Sequence, residues 1–249
     1  MSDSEDIDGV LRAWEYDAEG VNVRKCSGSD GRPVLQMRLD LGVLQLEVTG
    51  RPDGMRPGGQ PSYCEHLTIQ AQRFGDEMEL TTEQCAEIDR EFLQYYHRRI
   101  CWLQLREFGN AVADADHTLQ LMDLSKKYSP DEQWTLSHEQ YRPLVIFHRT
   151  QAAALQRLEE SGAEAAVEEV NSGIERLRTF HEEYAPDEDF EELEIVTRLT
   201  ELRESLRQKF DVGLTLAEQL AEAVATEKYE LAARLRDELA KRKDGSAQN

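Results

Sequence analysis

The sequence predicts an α+β fold that is mainly α: a small N-terminal antiparallel β-meander, a body of helical hairpins and a C-terminal αα-hairpin. Two periodicities carry this reading. Apolar and polar residues alternate between positions 21 and 49, the period of a half-buried strand, and from Thr81 onward apolar residues recur at helical spacing. Composition agrees: 39% of the 249 residues are apolar and 32% charged, with a formal net charge of −21, which suits a helical protein with charged outer faces. The same charge argues against general binding to nucleic acid or a membrane surface, because phosphate contacts need clustered Lys and Arg. The expected segments are residues 1–61 (the meander and a Pro/Gly-rich loop), 62–210 (the helical body) and 211–249 (the terminal hairpin).

Residues 1–8 are acidic and polar, the composition of a frayed end. Val10, Leu11, Trp14 and Tyr16 give the next stretch enough apolar surface to dock a short helix or turn. Val21 and Val23 then alternate with Asn22 and Arg24, and Ser27-Gly28-Ser29-Asp30-Gly31 supplies turn chemistry. Leu35, Met37 and Leu39 alternate with Gln36, Arg38 and Asp40. After Leu41-Gly42 the pattern resumes as Leu44, Leu46 and Val48, completing three antiparallel strands with one polar and one apolar face. A sheet this small needs a cover, and the helices that follow are the obvious one. Between Gly50 and Pro61 the density of Pro and Gly excludes regular structure; Arg51 and Arg56 there raise an anion cradle as one reading and a plain connection as the more economical one.

Ser62 is placed to cap a helix running through Leu67 and Ile69 toward Phe74, and Thr81 or Thr82 to cap a longer one through Tyr95, Ile100 and Leu105. Phe108-Gly109 reads as a turn into a third helix. Tyr95, Trp102, Phe108, Ala111, Ala115 and Leu119, with the phrase Ala111-Val112-Ala113-Asp114-Ala115-Asp116, resemble the packing positions of a tetratricopeptide (TPR) repeat, with Arg106 at the usual turn glycine. A weaker copy follows: a helix from Tyr141 to Leu158, a turn at Ser161-Gly162, then Ala166, Val170, Gly173 and Ile174. Two such hairpins are fewer than a self-supporting solenoid needs, so they must pack on other elements. The acid-rich run from Asp187 to Glu194 suits the N-terminus of a helix reaching Phe210, where the helix dipole favours negative charge.

Asp211-Val212-Gly213 is the expected hinge into the terminal pair. Leu216, Leu220 and Val224 form one stripe; Thr226-Glu227-Lys228 interrupts it; Tyr229, Ala232, Ala233, Leu235 and Leu239 form a second. Neither helix is long enough to be stable alone in water, so the pair must bury its apolar face on something. The run Tyr229-Glu230-Leu231-Ala232-Ala233-Arg234-Leu235-Arg236-Asp237-Glu238-Leu239, with Leu216, Leu220, Val224 and Ala225 before it, resembles the UVR motif. That motif is shared by the UvrB and UvrC excision-repair subunits, Clp-type ATPases and McsA-type kinase regulators. The resemblance implies a docking hairpin that pairs with another such hairpin, and no catalysis. Leu216, Leu220, Val224, Tyr229, Leu235, Arg236 and Leu239 are the partner-binding candidates; the alternative is a helix pair packed on its own domain. Arg234, Arg236, Lys241, Arg242 and Lys243 make the last helix locally basic, which its dipole favours.

No reaction is legible. Cys26, Cys64, Cys85 and Cys101 are widely spaced without the Cys-x-x-Cys pairs of McsA-type proteins and read as reduced, structural thiols. Cys64-Glu65-His66 lacks a partner pair for a metal, and the six His residues hold no ligand spacing. Nucleotide, dinucleotide and hydrolase fingerprints do not occur, so no catalytic residue, cofactor or metal is assigned. An acidic start without an apolar run argues against a secretory leader, no stretch spans a bilayer, and the expected location is the cytoplasm. The leading expectation is a non-enzymatic interaction protein. Two alternatives stand beside it: an excision-repair accessory acting on DNA through a partner, and a ligand binder or enzyme using a groove around Tyr95, Tyr96, Arg98, Arg99 and His148.

Overall fold

The computed structural model describes residues 6–187 and 189–246, with side chains to Lys241. The end expected to fray lies outside the described residues for positions 1–5, as do Glu188 of the acid run and the side chains of Arg242 and Lys243. Among the described residues there are three strands and ten α-helices, so the mainly-α reading holds. They fall into two compact units, residues 1–152 and 153–249, divided within one long helix.

The first unit begins with α1 (Asp8–Ala13), a single turn with no buried residue, and continues into the sheet. Strands β1 (Asn22–Ser27), β2 (Pro33–Leu39) and β3 (Gly42–Glu47) pair antiparallel in sequence order, as the alternation predicts. Register places Arg24 opposite Gln36 and Gln36 opposite Gln45, and the three side chains form a hydrogen-bonded ladder on the polar face. On the other face Leu35, Met37 and Leu46 are buried. Three positions depart from simple alternation. Val34, on the Gln36 face, is fully buried near the strand's start. Arg38, expected on the solvated face, is 8% exposed because its guanidinium donates to the carbonyls of Leu39, Asp40 and Gly42 and so closes the hairpin turn. Leu39, expected on the buried face, is 40% exposed at the strand's last position, where the cover runs out.

Three helices follow. In α2 (Tyr63–Phe74) Ser62 caps as predicted, its hydroxyl accepting from Glu65 N. In α3 (Thr82–Gln104) the cap is Thr81, in a full capping box with Gln84. In α4 (Phe108–Tyr128) the helix starts on Phe108, so the turn precedes Phe108-Gly109. Arg106 makes that turn, in left-handed geometry at φ 58°, while Glu107 N donates to Trp102 O and Arg106 N to Leu103 O. This is the Schellman closure that glycine usually serves, here carried by an arginine. Ala111 and Ala115 are fully buried, which lets α3 and α4 approach along their length. The unit closes with α5 (Glu132–Glu139), capped by Asp131, and the start of α6 (Arg142–Ser161).

Charged groups on α3 tie these parts together. Glu91, fully buried, accepts from the backbone amides of Tyr63 (2.7 Å) and Cys64 (2.9 Å) at the start of α2. His117 Nε2 of α4 lies 2.9 Å from the same carboxylate, and Arg51 Nε lies 3.6 Å away. Two turns on, Arg98 holds Asp114 of α4 through two hydrogen bonds, at 2.9 and 2.7 Å, and donates to the carbonyls of Glu47, the last residue of β3, and Gly50. Arg51, raised above as a possible anion cradle, is buried against Asp53, Glu87 and Glu91, so internal carboxylates already neutralise it.

In the second unit α7 (Ala163–Tyr184) begins after Gly162, which turns the chain at φ 91° as expected, and packs along α8 (Glu194–Phe210). Of the acid run only its last residue, Glu194, lies in the first turn of α8. Asp189 instead caps a single 3-10 turn over Phe190–Glu192, whose Phe190 is buried, and α8 begins at Glu194. Helices α9 (Leu216–Ala225) and α10 (Tyr229–Ser246) complete the chain.

Two expectations follow for this fold. Glu91→Ala leaves two helix-start amides and His117 without their acceptor and removes one of the three carboxylates around Arg51, and should destabilise the protein by about 3–5 kcal/mol in urea melts; a loss under about 1 kcal/mol would show that the carboxylate is not a structural centre. The four cysteines are free thiols, and burial pushes those of Cys64 and Cys101 up to about 12. Native labelling with a thiol reagent should therefore reach Cys26 and Cys85 first and Cys64 and Cys101 only on unfolding. Equal native rates at all four would contradict this.

Candidate functional site

The terminal hairpin forms because its ends are fixed locally. Helix α8 stops at Phe210, and Asp211 takes the left-handed conformation at φ 54° with Val212 N bonded back to Arg207 O. The residue that turns the joint is thus Asp211; Gly213, the expected pivot, lies outside the left-handed region, in open space. Thr215 caps α9 in a capping box with Glu218. At the far end Glu227 adopts φ 56° while Lys228 N donates to Ala223 O and Glu227 N to Val224 O, a second complete Schellman closure without glycine.

The apolar stripe is divided between two surfaces. Leu216 and Ala223 of α9 pack with Ala232 and Leu235 of α10, all at 8% exposure or less, and Leu220 and Leu239 flank them. These side chains therefore bury on one another within the hairpin. The other partner-binding candidates face outward: Val224 is 53% exposed and Tyr229 68%, while Arg236 is exposed and paired with Asp237 at 2.9 Å. Leu231, which the sequence reading did not single out, joins them at 44%. Its signal was available, because Leu231 falls off the Ala232–Leu235–Leu239 stripe on the helical wheel.

A polar clasp holds the start of α9 to the two preceding helices. Glu218 accepts from Arg207 of α8 and from Asn171 Nδ2 of α7 (2.9 Å), while Arg203 of α8 donates to Asn171 Oδ1 (3.1 Å). Burial opposes ionisation of Glu218, yet the Thr215 amide and the Arg207 and Asn171 side chains outweigh it and hold the carboxyl below its ordinary value. Thr215-x-x-Glu218 carries a capping-box pattern, but nothing in the sequence ties Glu218 to Asn171 or Arg203, which read like other polar residues of solvated helical faces, so the clasp was not foreseen.

The side chains proposed for a groove in the body separate. Tyr95 and Arg98 face the loop after β3, with the Tyr95 hydroxyl 3.2 Å from Gly50 O and its ring stacked on His117. Tyr96 and Arg99 instead line a cavity of about 420 Å³ formed with α4, α5 and α6. Among the described residues no three His, Cys, Asp or Glu side chains gather as metal ligands, and no helix is long and apolar enough to cross a membrane.

Comparison with known families places the hairpin. Residues 215–243 match the family described as the UvrB/uvrC motif. No curated protein and no solved structure matches the chain.

The clasp predicts a pH signature. Because the folded carboxyl of Glu218 is lowered, its contribution is fully present above the ordinary glutamate value of 4.5 and is lost as pH falls through the folded value. The amide resonance of Thr215, which donates to Glu218 at 2.8 Å, should titrate with a midpoint below 4.5, and Glu218→Gln should abolish that titration. A midpoint at or above the ordinary value would remove the clasp from the account.

Proposed function

We propose that this protein is a non-enzymatic, cytoplasmic interaction protein that docks a partner through its C-terminal hairpin, the partner presenting a similar helical hairpin. The observation that carries this reading is the apolar surface at Val224, Tyr229 and Leu231, left uncovered on a hairpin whose own interior is already closed by Leu216, Leu220, Leu235 and Leu239. The four leucines act by holding the hairpin's shape, and Val224, Tyr229 and Arg236 meet the partner. The α3–α4 pair supports the unit as a TPR-like hairpin.

Magnitudes set the strength of the contact. Three such side chains, each only about half exposed to begin with, supply roughly 2–5 kcal/mol on full burial, against at least about 4 kcal/mol for lost translational and rotational freedom. A single hairpin pair therefore binds weakly, and useful affinity needs a second contact or several linked copies. A repair-associated form of the same reading follows from the UvrB/uvrC match: the partner would be an excision-repair subunit and the link to DNA indirect, since a net charge of −21 opposes phosphate contact.

Val224→Asp and Tyr229→Asp should abolish partner capture or self-association while leaving helicity and melting unchanged, since both side chains are exposed. Leu235→Asp places a charge in the hairpin interior and should lose capture together with the hairpin's helical signal. Deleting residues 211–249 gives the reference. Capture that survives Val224→Asp and Tyr229→Asp would rule out this surface, and direct DNA affinity with a steep salt dependence would move the function to nucleic acid.

A further inference from the structure

We infer that the cavity between α3, α4, α5 and α6 is a binding site for a small amphiphilic carboxylate, its acid group on Arg99 and its apolar body against Phe92, Tyr96, Met122 and Val145. This inference is independent of the docking role of the hairpin.

Arg99 is 2% exposed, and an arginine so deeply placed normally has an internal carboxylate. Among the described residues it has none within 4 Å. Its single hydrogen bond runs from Nη1 to Thr118 Oγ1 at 3.1 Å, and that hydroxyl is in turn bonded to Asp114 O. The nearest acid able to help, Asp114, is engaged at both oxygens by Arg98. Arg99 Nε, fully buried, has no hydrogen-bond partner among the described residues, and the guanidinium otherwise meets only the Tyr96 ring, at 5.9 Å. A guanidinium carries five N–H donors, so most of its bonding capacity is unmet on the wall of a cavity.

Burial pulls Arg99 down to about 10, with Asp114 and Tyr96 opposing, so the group is still cationic at neutral pH. His148 of α6 offers no compensation. Burial and the Arg99 charge hold it down at about 4, so it stays neutral, and its buried Nδ1 is also without a partner. Asp89 at the rim is engaged by His138 Nε2 at 2.9 Å and Trp134 Nε1 at 3.0 Å and does not turn to Arg99. A desolvated cation without an internal counter-ion is costly, and an anion from outside relieves that cost.

The lining decides which anion. A planar guanidinium matches a carboxylate through two parallel N–H···O bonds. Most of the remaining wall is apolar or aromatic, with Asp89, Thr118, Ser137 and His138 as its other polar groups, which favours a ligand with an apolar body over a bare, strongly hydrated anion such as phosphate. At about 420 Å³ the cavity lies at the small end of ligand sites. Net charge −21 repels anions at long range but is screened beyond about 8 Å at physiological ionic strength, so a local buried charge governs binding here.

The test is calorimetric or NMR titration of the full chain with phenylacetate, phenylacetamide, inorganic phosphate and N-acetyl-phenylalanine. Phenylacetate should bind at least about tenfold more tightly than its neutral amide and than phosphate, and should shift the Arg99 Nε–H resonance. Arg99→Met should lose about tenfold or more of that affinity. Leu144→Trp, which fills the cavity at an exposed edge without touching the charge, should block the same titration and serves where Arg99→Met fails to fold. Equal binding of acid and amide, binding of phosphate as tight as phenylacetate, or no binding of phenylacetate would overturn the inference. Binding of N-acetyl-phenylalanine tenfold tighter than phenylacetate would overturn it in favour of a peptide C-terminus.

Discussion

Helix α3 buries three charged side chains, and the first unit is arranged around what each of them needs. Glu91 accepts two helix-start amides and faces His117 and Arg51, so one carboxylate fixes α2, α3, α4 and the loop before α2 relative to one another. Arg98 takes Asp114 and the carbonyls of Glu47 and Gly50, so one guanidinium joins the sheet to the α3–α4 pair. A charge in low dielectric is stable only when its hydrogen-bonding capacity is met, and in both cases it is met from three directions. Arg99, the next residue, has the same burial and almost none of the same satisfaction. The contrast between neighbours is what makes the cavity at Arg99 a site and not a packing fault.

The terminal hairpin shows the opposite balance, with apolar demand met locally and surface left over. Two helices of about ten and eighteen residues are marginal alone, yet a shared seam of leucines and alanines closes them on each other. That seam consumes the stripe that sequence periodicity marks most clearly. What remains exposed lies beside it, at the turn and the first residues of α10, at Val224, Tyr229 and Leu231. The clasp of Glu218 with Asn171, Arg203 and Arg207 then orients this surface by polar contacts, which hold direction at little net stability.

Three helix ends turn on non-glycine residues in left-handed geometry: Arg106, Asp211 and Glu227. Each sits just past a helix whose last carbonyls are closed by the following amides. A left-handed non-glycine residue costs roughly 1–2 kcal/mol, which those closing bonds offset. Reading stops from glycine alone therefore misplaced the α3–α4 turn by a few residues and put the pivot of the final joint on Gly213 in place of Asp211.

Local pattern was enough for most of the architecture. Alternation between residues 21 and 49 determined the meander, side-chain caps at Ser62 and Thr81 determined two helix starts, and the spacing of Leu216 through Leu239 determined a helical hairpin of the UvrB/uvrC type. These features depend on neighbours within a few positions, and so they are written in the chain's order. Which of the hairpin's apolar residues face each other, that Glu91 and Arg98 are buried anchors, and that Tyr95 and Tyr96 look to opposite sides of α3 were decided only by tertiary structure. A charged side chain on a helix reads the same in sequence whether it meets water or a carboxylate 16 or more positions away, as Arg98 meets Asp114. Only the fold, by removing the water, makes the partner necessary, and only the fold reveals that Arg99 lacks one.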